Sequence, residues 1–364
     1  MGSRQKGRWK KAFGSAALFC GSLVLSGLAG EFALRLLGHH GAPQRAMSNI
    51  YPVADPIVDW RYVPHSEFRI GTILYSYNAA GYRDSTHSLE KPQAIKRIVV
   101  VGDSVTEGYG VDFKSAFSQV VQSRLGNEVE VITIAAGGLN TPQEIHLLER
   151  EGLRYQPDLV VLNFVLNDCD FYSKYAEAQR HAAGKEAQLG LLKLRVDPRV
   201  KQMLKSSALI YFVKERVENL QGRISGGTNT DYFTRIWTRE ENRGKVRDGF
   251  DRLAELGAKR GFSVVVMIWP LLGDYGNYGF NWVHEWIEKE ARERGFATID
   301  LLKEFARVPY RKLQVTAEDR IHPNATGHRI AAEKFETWYR MDQTGVQWET
   351  DRGREGVKGP WERG

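Results

Sequence analysis

The chain has 364 residues, of which 42% are hydrophobic and 26% charged, a globular composition with room for one large domain and appendages. Much of its formal charge of +7 sits at the start, where Arg4, Lys6, Arg8, Lys10 and Lys11 occur before any acid; the rest is close to neutral, which excludes a polyanion such as nucleic acid as partner. The two cysteines, Cys20 and Cys169, allow neither an intradomain disulfide nor a Cys-based zinc site, no His-x-x-Glu-His spacing offers another metal site, and no cofactor is called for.

Residues 1–11 read as a basic cytoplasmic tail. Ala12 to Gly30 follows without a charged residue; as a helix it would span about 28 Å, close to the hydrocarbon core of a bilayer. With Glu31 and Arg35 behind it and the cations in front, the stretch reads as a signal-anchor helix over residues 12–37. The expectation is a single-pass protein of a bacterial inner membrane with its later residues in the periplasm. A cleaved signal peptide is the rival, since Gly27 and Ala29 are small. A lipoprotein reading through Cys20 is disfavoured by bulky Phe19 before it. Residues 38–94 read as a linker or N-terminal cap segment.

From residue 95 short β-branched runs alternate with longer amphipathic stretches, the rhythm of a parallel sheet flanked by helices. Candidate strands are Arg97–Val101, Val129–Ile134, Leu159–Phe164, Ser263–Ile268 and Phe296–Ile299. In Thr141-Pro142-Gln143-Glu144, Thr141 can cap a helix, Pro142 takes its first position and Glu144 completes a capping box. Residues 171–245 interrupt the rhythm as a basic, helical insertion, and 341–364 read as a disordered tail.

Ligands of open α/β sheets bind at the carboxyl ends of the strands, where Ser104 of Gly102-Asp103-Ser104 would emerge. An isolated Gly-Asp-Ser is usually only a turn, and a serine needs a base held by an orienting group to act as nucleophile. Of nine histidines, His322 stands out, with Asp319 three residues before it in a loop and an amphipathic helix after it. Ala136-Gly137-Gly138 after the second strand and Asn167 after the third offer donors for an oxyanion.

These residues resemble the SGNH hydrolases, the GDSL esterase and lipase superfamily, and in particular its membrane-anchored bacterial members. Gly102-Asp103-Ser104-Val105, Gly138, Asn167-Asp168 and Asp319-Arg320-Ile321-His322-Pro323-Asn324 look like its successive motifs, within a resemblance over residues 95–340. The resemblance implies a flavodoxin-like three-layer α/β/α sandwich with Ser104 as nucleophile, His322 as base and Asp319 as its orienter. It also implies an oxyanion hole of the Ser104 N–H, the Gly138 N–H and the Asn167 side chain. Val105 replaces the usual Leu, Thr133 stands where Asn is frequent, and Leu166 replaces a Gly, which raises the question whether Leu166 narrows the acyl pocket or tilts Asn167. Asn78-Ala79-Ala80-Gly81-Tyr82-Arg83 looks like a segment found before the catalytic domain in the anchored members.

The resulting expectation is a serine ester hydrolase that removes acyl, above all O-acetyl, groups from an ester-bearing small molecule, glycan or lipid of the cell envelope. The same triad could pass the acyl group to a sugar hydroxyl, as an O-acetyltransferase or an accessory of exopolysaccharide or cell-wall acylation. A non-catalytic glycan-binding module is a third reading, for which an intact triad is unexpected. Tyr275 and Tyr278, in a Gly- and Asp-rich loop after the fourth strand, are candidates to stack on sugar rings, against the plainer reading that they pack a lid. Sequence leaves the oligomeric state open.

Overall fold

The structure is a computed structural model. It describes residues 2–37, 50–170, 187–189, 194–196 and 229–343, and 207–216 in part, apart from positions 54, 56, 59 and 318. The chain divides into two compact units, residues 1–45 with 177–229 and residues 46–176 with 230–364.

The first unit holds helix α1 (Gly2–Leu36). Its Glu31 carboxylate accepts bonds from Ser207 Oγ and from the backbone N–H groups of Ala208 and Leu209, at 2.7, 3.0 and 2.9 Å. Leu18, Phe19, Leu25, Leu28 and Phe32 are exposed along α1. Among the described residues no helix is long and apolar enough to cross a membrane. The expected signal-anchor is therefore met by a helix but not by a span; the side chains of residues 12–17 and of Cys20 lie outside those described.

The second unit begins with two antiparallel ribbons, β1 (Ile50–Pro52) with β2 (Trp60–Tyr62), and β3 (Glu67–Ile70) with β4 (Ile73–Ser76). A five-stranded parallel sheet follows, built from β5 (Lys96–Gly102), β6 (Val129–Ala135), β7 (Leu159–Val165), β10 (Ser263–Trp269) and β11 (Ala297–Asp300) in the order β6-β5-β7-β10-β11. The antiparallel pair β8 (Ala187–Leu189) and β9 (Leu194–Val196) belongs to the first unit. This order is the doubly wound, flavodoxin-like one, in which the chain runs outward in opposite directions from a switch point between β5 and β7. All five expected strands are present.

Alternation along each strand fills a core on either side of the sheet. Val99, Val101, Ile132, Leu162 and Ile268 face one, with helices α4 (Thr141–Arg150), α6 (Glu240–Arg260) and α7 (Asn281–Glu293) packed over them through Leu148, Phe250 and Ile287. Ile98, Val100, Val131, Val161 and Met267 face the other, covered by α3 (Phe117–Leu125) and α9 (Ala325–Gln343) through Phe117, Val121 and Phe335. Three layers result.

Two boundaries differ from expectation. Helix α4 is capped by Asn140 rather than Thr141: the Asn140 side chain accepts the Gln143 N–H at 3.3 Å, and the Gln143 side chain accepts the Asn140 N–H at 3.3 Å. Thr141 is drawn inside the helix because its own N–H donates to Asp168 O at 3.1 Å, and Glu144 is left fully buried instead of capping. The insertion also ends earlier than residue 245. Helix α5 (Asn229–Trp237) and the start of α6 carry Phe233, Ile236, Trp237 and Val246 into the core, whereas most of 171–228 lies outside the described residues, as does the expected tail beyond Gln343.

Candidate active site

Strand β5 ends on Gly102 because a one-turn helix, α2 (Ser104–Glu107), sits directly on it; a Cβ at Gly102 would come within 2.1 Å of Thr106 Oγ1 and 3.1 Å of Asn163 O. Asp103 caps this turn, its Oδ1 accepting the Val105 N–H at 2.8 Å. Ser104 is thereby fixed at the carboxyl end of the sheet, close to the switch point and 5% exposed.

His322 reaches Ser104 across 218 positions of sequence, with 2.8 Å between Ser104 Oγ and His322 Nε2. Its Nδ1 lies 2.8 Å from Asp319 Oδ2, while Asp319 Oδ1 accepts the backbone N–H groups of Ile321 and His322, both at 2.9 Å. Burial alone would raise the Asp319 pKa. The His322 hydrogen bond and charge and the two backbone donors outweigh it and hold the carboxyl below its usual range. The loop is anchored at both ends: Leu272 N–H donates to Arg320 O at 2.7 Å, and Asn324 Oδ1 accepts Thr326 N–H at 3.0 Å to start α9. An ionised Asp319 fixes the tautomer in which Nδ1 carries hydrogen, leaving Nε2 to accept the serine proton.

The expected oxyanion donors stand on the neighbouring strand ends. Gly138, in the turn after β6, has φ +80°, a left-handed conformation that glycine adopts without strain. Asn167 follows β7, and its Nδ2 donates to Asp103 Oδ2 at 2.8 Å. Asp103 is thus shared between the helix cap, Asn167 and Ser104 Oγ, the last at 3.3 Å. The Leu166 side chain is wholly buried in the core cluster that α4 and α6 share, and its carbonyl accepts Trp237 Nε1–H at 2.7 Å. Thr133 and Val105 are likewise buried. Asp168 serves the turn itself, its Oδ2 accepting the Val165 N–H at 2.7 Å.

Near Asp103 and Asp168 lies a carboxyl group that sequence reasoning assigned to a helix cap. Glu144 is fully buried with no hydrogen-bond partner on either oxygen among the described residues, and burial, then the nearby Asp103, pushes its pKa well above the usual carboxylate range.

The stacking role expected of Tyr278 is overturned. The ring is buried and its hydroxyl is engaged, accepting the Leu271 N–H at 3.0 Å and lying 3.0 Å from His284 Nε2. Tyr275 is half-buried and packs against both cores, with its hydroxyl buried. Both rings pack inward on the cores of the sheet domain. Sequence reasoning missed Tyr109, whose ring packs on the His322 imidazole with centroids 4.4 Å apart; the glycines on either side of it, Gly108 and Gly110, were the available sign of a tight turn close after Ser104. A cavity of about 400 Å³ lined by Pro142, His146, Lys245 and Arg252, among others, includes none of the Ser104, His322 or Asp319 side chains.

Residues 100–330 match the GDSL-like lipase/acylhydrolase family. No curated protein sequence matches the chain. Similar solved structures include the acetyl xylan esterase AlAXEase, with 18% identity over 66% of this chain and 98% of that one and a TM-score of 0.40. TesA has 15% identity over 68% and 99%, with a TM-score of 0.42. The psychrotrophic esterase EstA from Pseudoalteromonas sp. has 11% identity over 68% and 99%, with a TM-score of 0.40.

Proposed function

Because the chain belongs to the GDSL-like lipase/acylhydrolase family and is an ester-bond hydrolase, we propose that Ser104, His322 and Asp319 form its catalytic triad and that it removes acyl groups, O-acetyl above all, from an envelope glycan. Ser104 Oγ attacks the ester carbonyl carbon as His322 Nε2 takes the hydroxyl proton. The carbonyl oxygen becomes an oxyanion facing the N–H groups of Ser104 and Gly138 and the Asn167 amide. Collapse of the tetrahedral intermediate expels the alcohol, which takes the proton back from His322. Water then attacks the acyl-serine with His322 again as base, releasing the carboxylic acid and the free serine. Asp319 stays ionised throughout and stabilises the transient imidazolium.

The observation that carries this reading is the unbroken 2.8 Å and 2.8 Å chain from Ser104 Oγ through the imidazole to Asp319. The purified protein is expected to hydrolyse p-nitrophenyl acetate, and Ser104→Ala to abolish turnover. Undiminished activity in that variant would remove the triad assignment. With an acetylated oligosaccharide as donor, mass spectrometry of the products separates release of acetate from transfer to a second sugar. The envelope location rests on the cations that precede the uncharged stretch Ala12–Gly30; a C-terminal alkaline phosphatase fusion is expected to be active, and an inactive fusion beside a fluorescent green-protein one would place Ser104 in the cytoplasm.

A further inference from the structure

The family match begins at residue 100, yet the turn that carries the nucleophile is held from behind by residues that precede it. Arg83, 2% exposed, donates from Nη1 to Glu107 O at 3.2 Å and Gly108 O at 2.6 Å, and from Nη2 to Val111 O at 2.9 Å and Leu74 O at 3.2 Å. Its guanidinium lies over the Tyr75 ring, 4.1 Å from the centroid, and the Tyr75 hydroxyl accepts the Gly110 N–H at 2.7 Å. The Glu107 carboxylate, also buried, accepts from Tyr62 OH at 3.3 Å and from Tyr77 OH. Among the described residues no carboxylate stands within ion-pair distance of Arg83. A buried cation is expensive unless its donors find acceptors, and here backbone carbonyls take both Nη groups, three of them from the stretch between residues 107 and 111, while Nε has no partner among the described residues.

What that stretch carries is Tyr109. Its N–H donates to Ser104 O at 2.9 Å and its ring packs on the His322 imidazole. Asn78 shapes the approach of the arginine, its Oδ1 accepting the N–H groups of Ala80 and Tyr82 at 2.9 and 3.1 Å. This supplies the segment Asn78–Arg83 with a role. Resting on the reading of Ser104 and His322 as the reacting pair, we propose that Arg83 is a positioning residue for catalysis. It fixes the turn 107–111, and through Tyr109 it holds the imidazole of His322 in line with Ser104, so that the catalytic centre extends to residues before the family's boundary.

The test uses the full chain and p-nitrophenyl acetate. Arg83→Ala is expected to lower kcat by about 10²-fold, the size of effect that small misplacements of reacting groups produce, with KM little changed. Added guanidinium should restore part of that loss in Arg83→Ala and none of it in Ser104→Ala. Tyr109→Ala should lose kcat comparably, and the Arg83→Ala/Tyr109→Ala double variant should lose little more than either alone, because one residue acts through the other. Full additivity overturns the proposal, as does a loss in Arg83→Ala that merely follows its folded fraction by circular dichroism. If Arg83→Ala does not fold, Tyr109→Ala decides, and an unchanged kcat there overturns the proposal. Activity surviving in Ser104→Ala would instead sink the triad itself, a separate outcome.

Discussion

Replacing Asn167 by alanine tests the oxyanion side of the site most directly. Removal of one preorganised donor costs about 2.7–4 kcal/mol of transition-state stabilisation, so kcat should fall about 100- to 1,000-fold. KM should hardly move, because the bond is made to charge that develops only in the transition state. The structure adds a second consequence. Asn167 Nδ2 donates to fully buried Asp103, and without it that carboxylate keeps, among the described donors, only the Val105 N–H, because the Ser104 hydrogen is directed to His322 Nε2. Leaving a buried acceptor short of a donor costs about 1–3 kcal/mol, a fall in Tm of about 2–4 °C per kcal/mol for a domain of this size. Steady-state kinetics on p-nitrophenyl acetate beside thermal denaturation separates the two effects. Asn167→Asp keeps the shape but sets a second carboxylate against Asp103, and should lose at least as much activity as the alanine variant. A kcat loss below about tenfold in Asn167→Ala would show that the amide does not meet the oxyanion and that its bond to Asp103 is its whole role.

Asp319→Asn should fold, since its Oδ1 can still accept the Ile321 and His322 N–H groups, but an amide donor facing Nδ1 favours the wrong imidazole tautomer; kcat should fall about 10⁴-fold, and a fall under about tenfold would refute the orienting role. His328 is buried beneath the site, where Nδ1 accepts the Phe117 N–H at 3.2 Å, and burial, then the charges of His322 and Arg83, lowers its pKa from 6.5 to about 3. The unfolded chain therefore binds the extra proton between those values, and stability should drop as pH falls through that window by about 1.4 kcal/mol per unit, or about 2 kcal/mol at pH 5. Denaturant titrations of wild type and His328→Gln should diverge by that amount between pH 7 and 5; parallel curves would refute the assignment.

The sheet was legible because its strands are unbroken β-branched runs at parallel-sheet spacing, and such a run fits few other places. The meeting of Ser104, His322 and Asp319 was legible because Gly-Asp-Ser and Asp-x-x-His each concentrate several local demands in a few residues. Glu144 was misread for a physical reason: capping is decided by which side chain meets which N–H, and the bond from Thr141 N–H to Asp168 O, between segments far apart in sequence, shifted the helix start by one residue. Tyr278 carried no local sign of burial, since a Gly-rich polar loop around an aromatic residue looks the same whether the ring faces water or a histidine on the next helix. Arg83 was noticed only as part of a segment, because its partners are carbonyl oxygens, which any sequence supplies.

Ser104 and His322 meet across 218 positions, and the histidine arrives only with the last loop of the sheet domain. A chain folded as far as β7 would already hold the nucleophile turn, Gly138 and Asn167, and would still have no base to take the serine proton. With His322 as the proposed base, hydrolysis requires the loop before α9 as well as the sheet. On that reading esterase turnover is a stricter gauge of native structure than any spectroscopic signal from the strands, and copies that end before residue 322 are expected to be chemically silent.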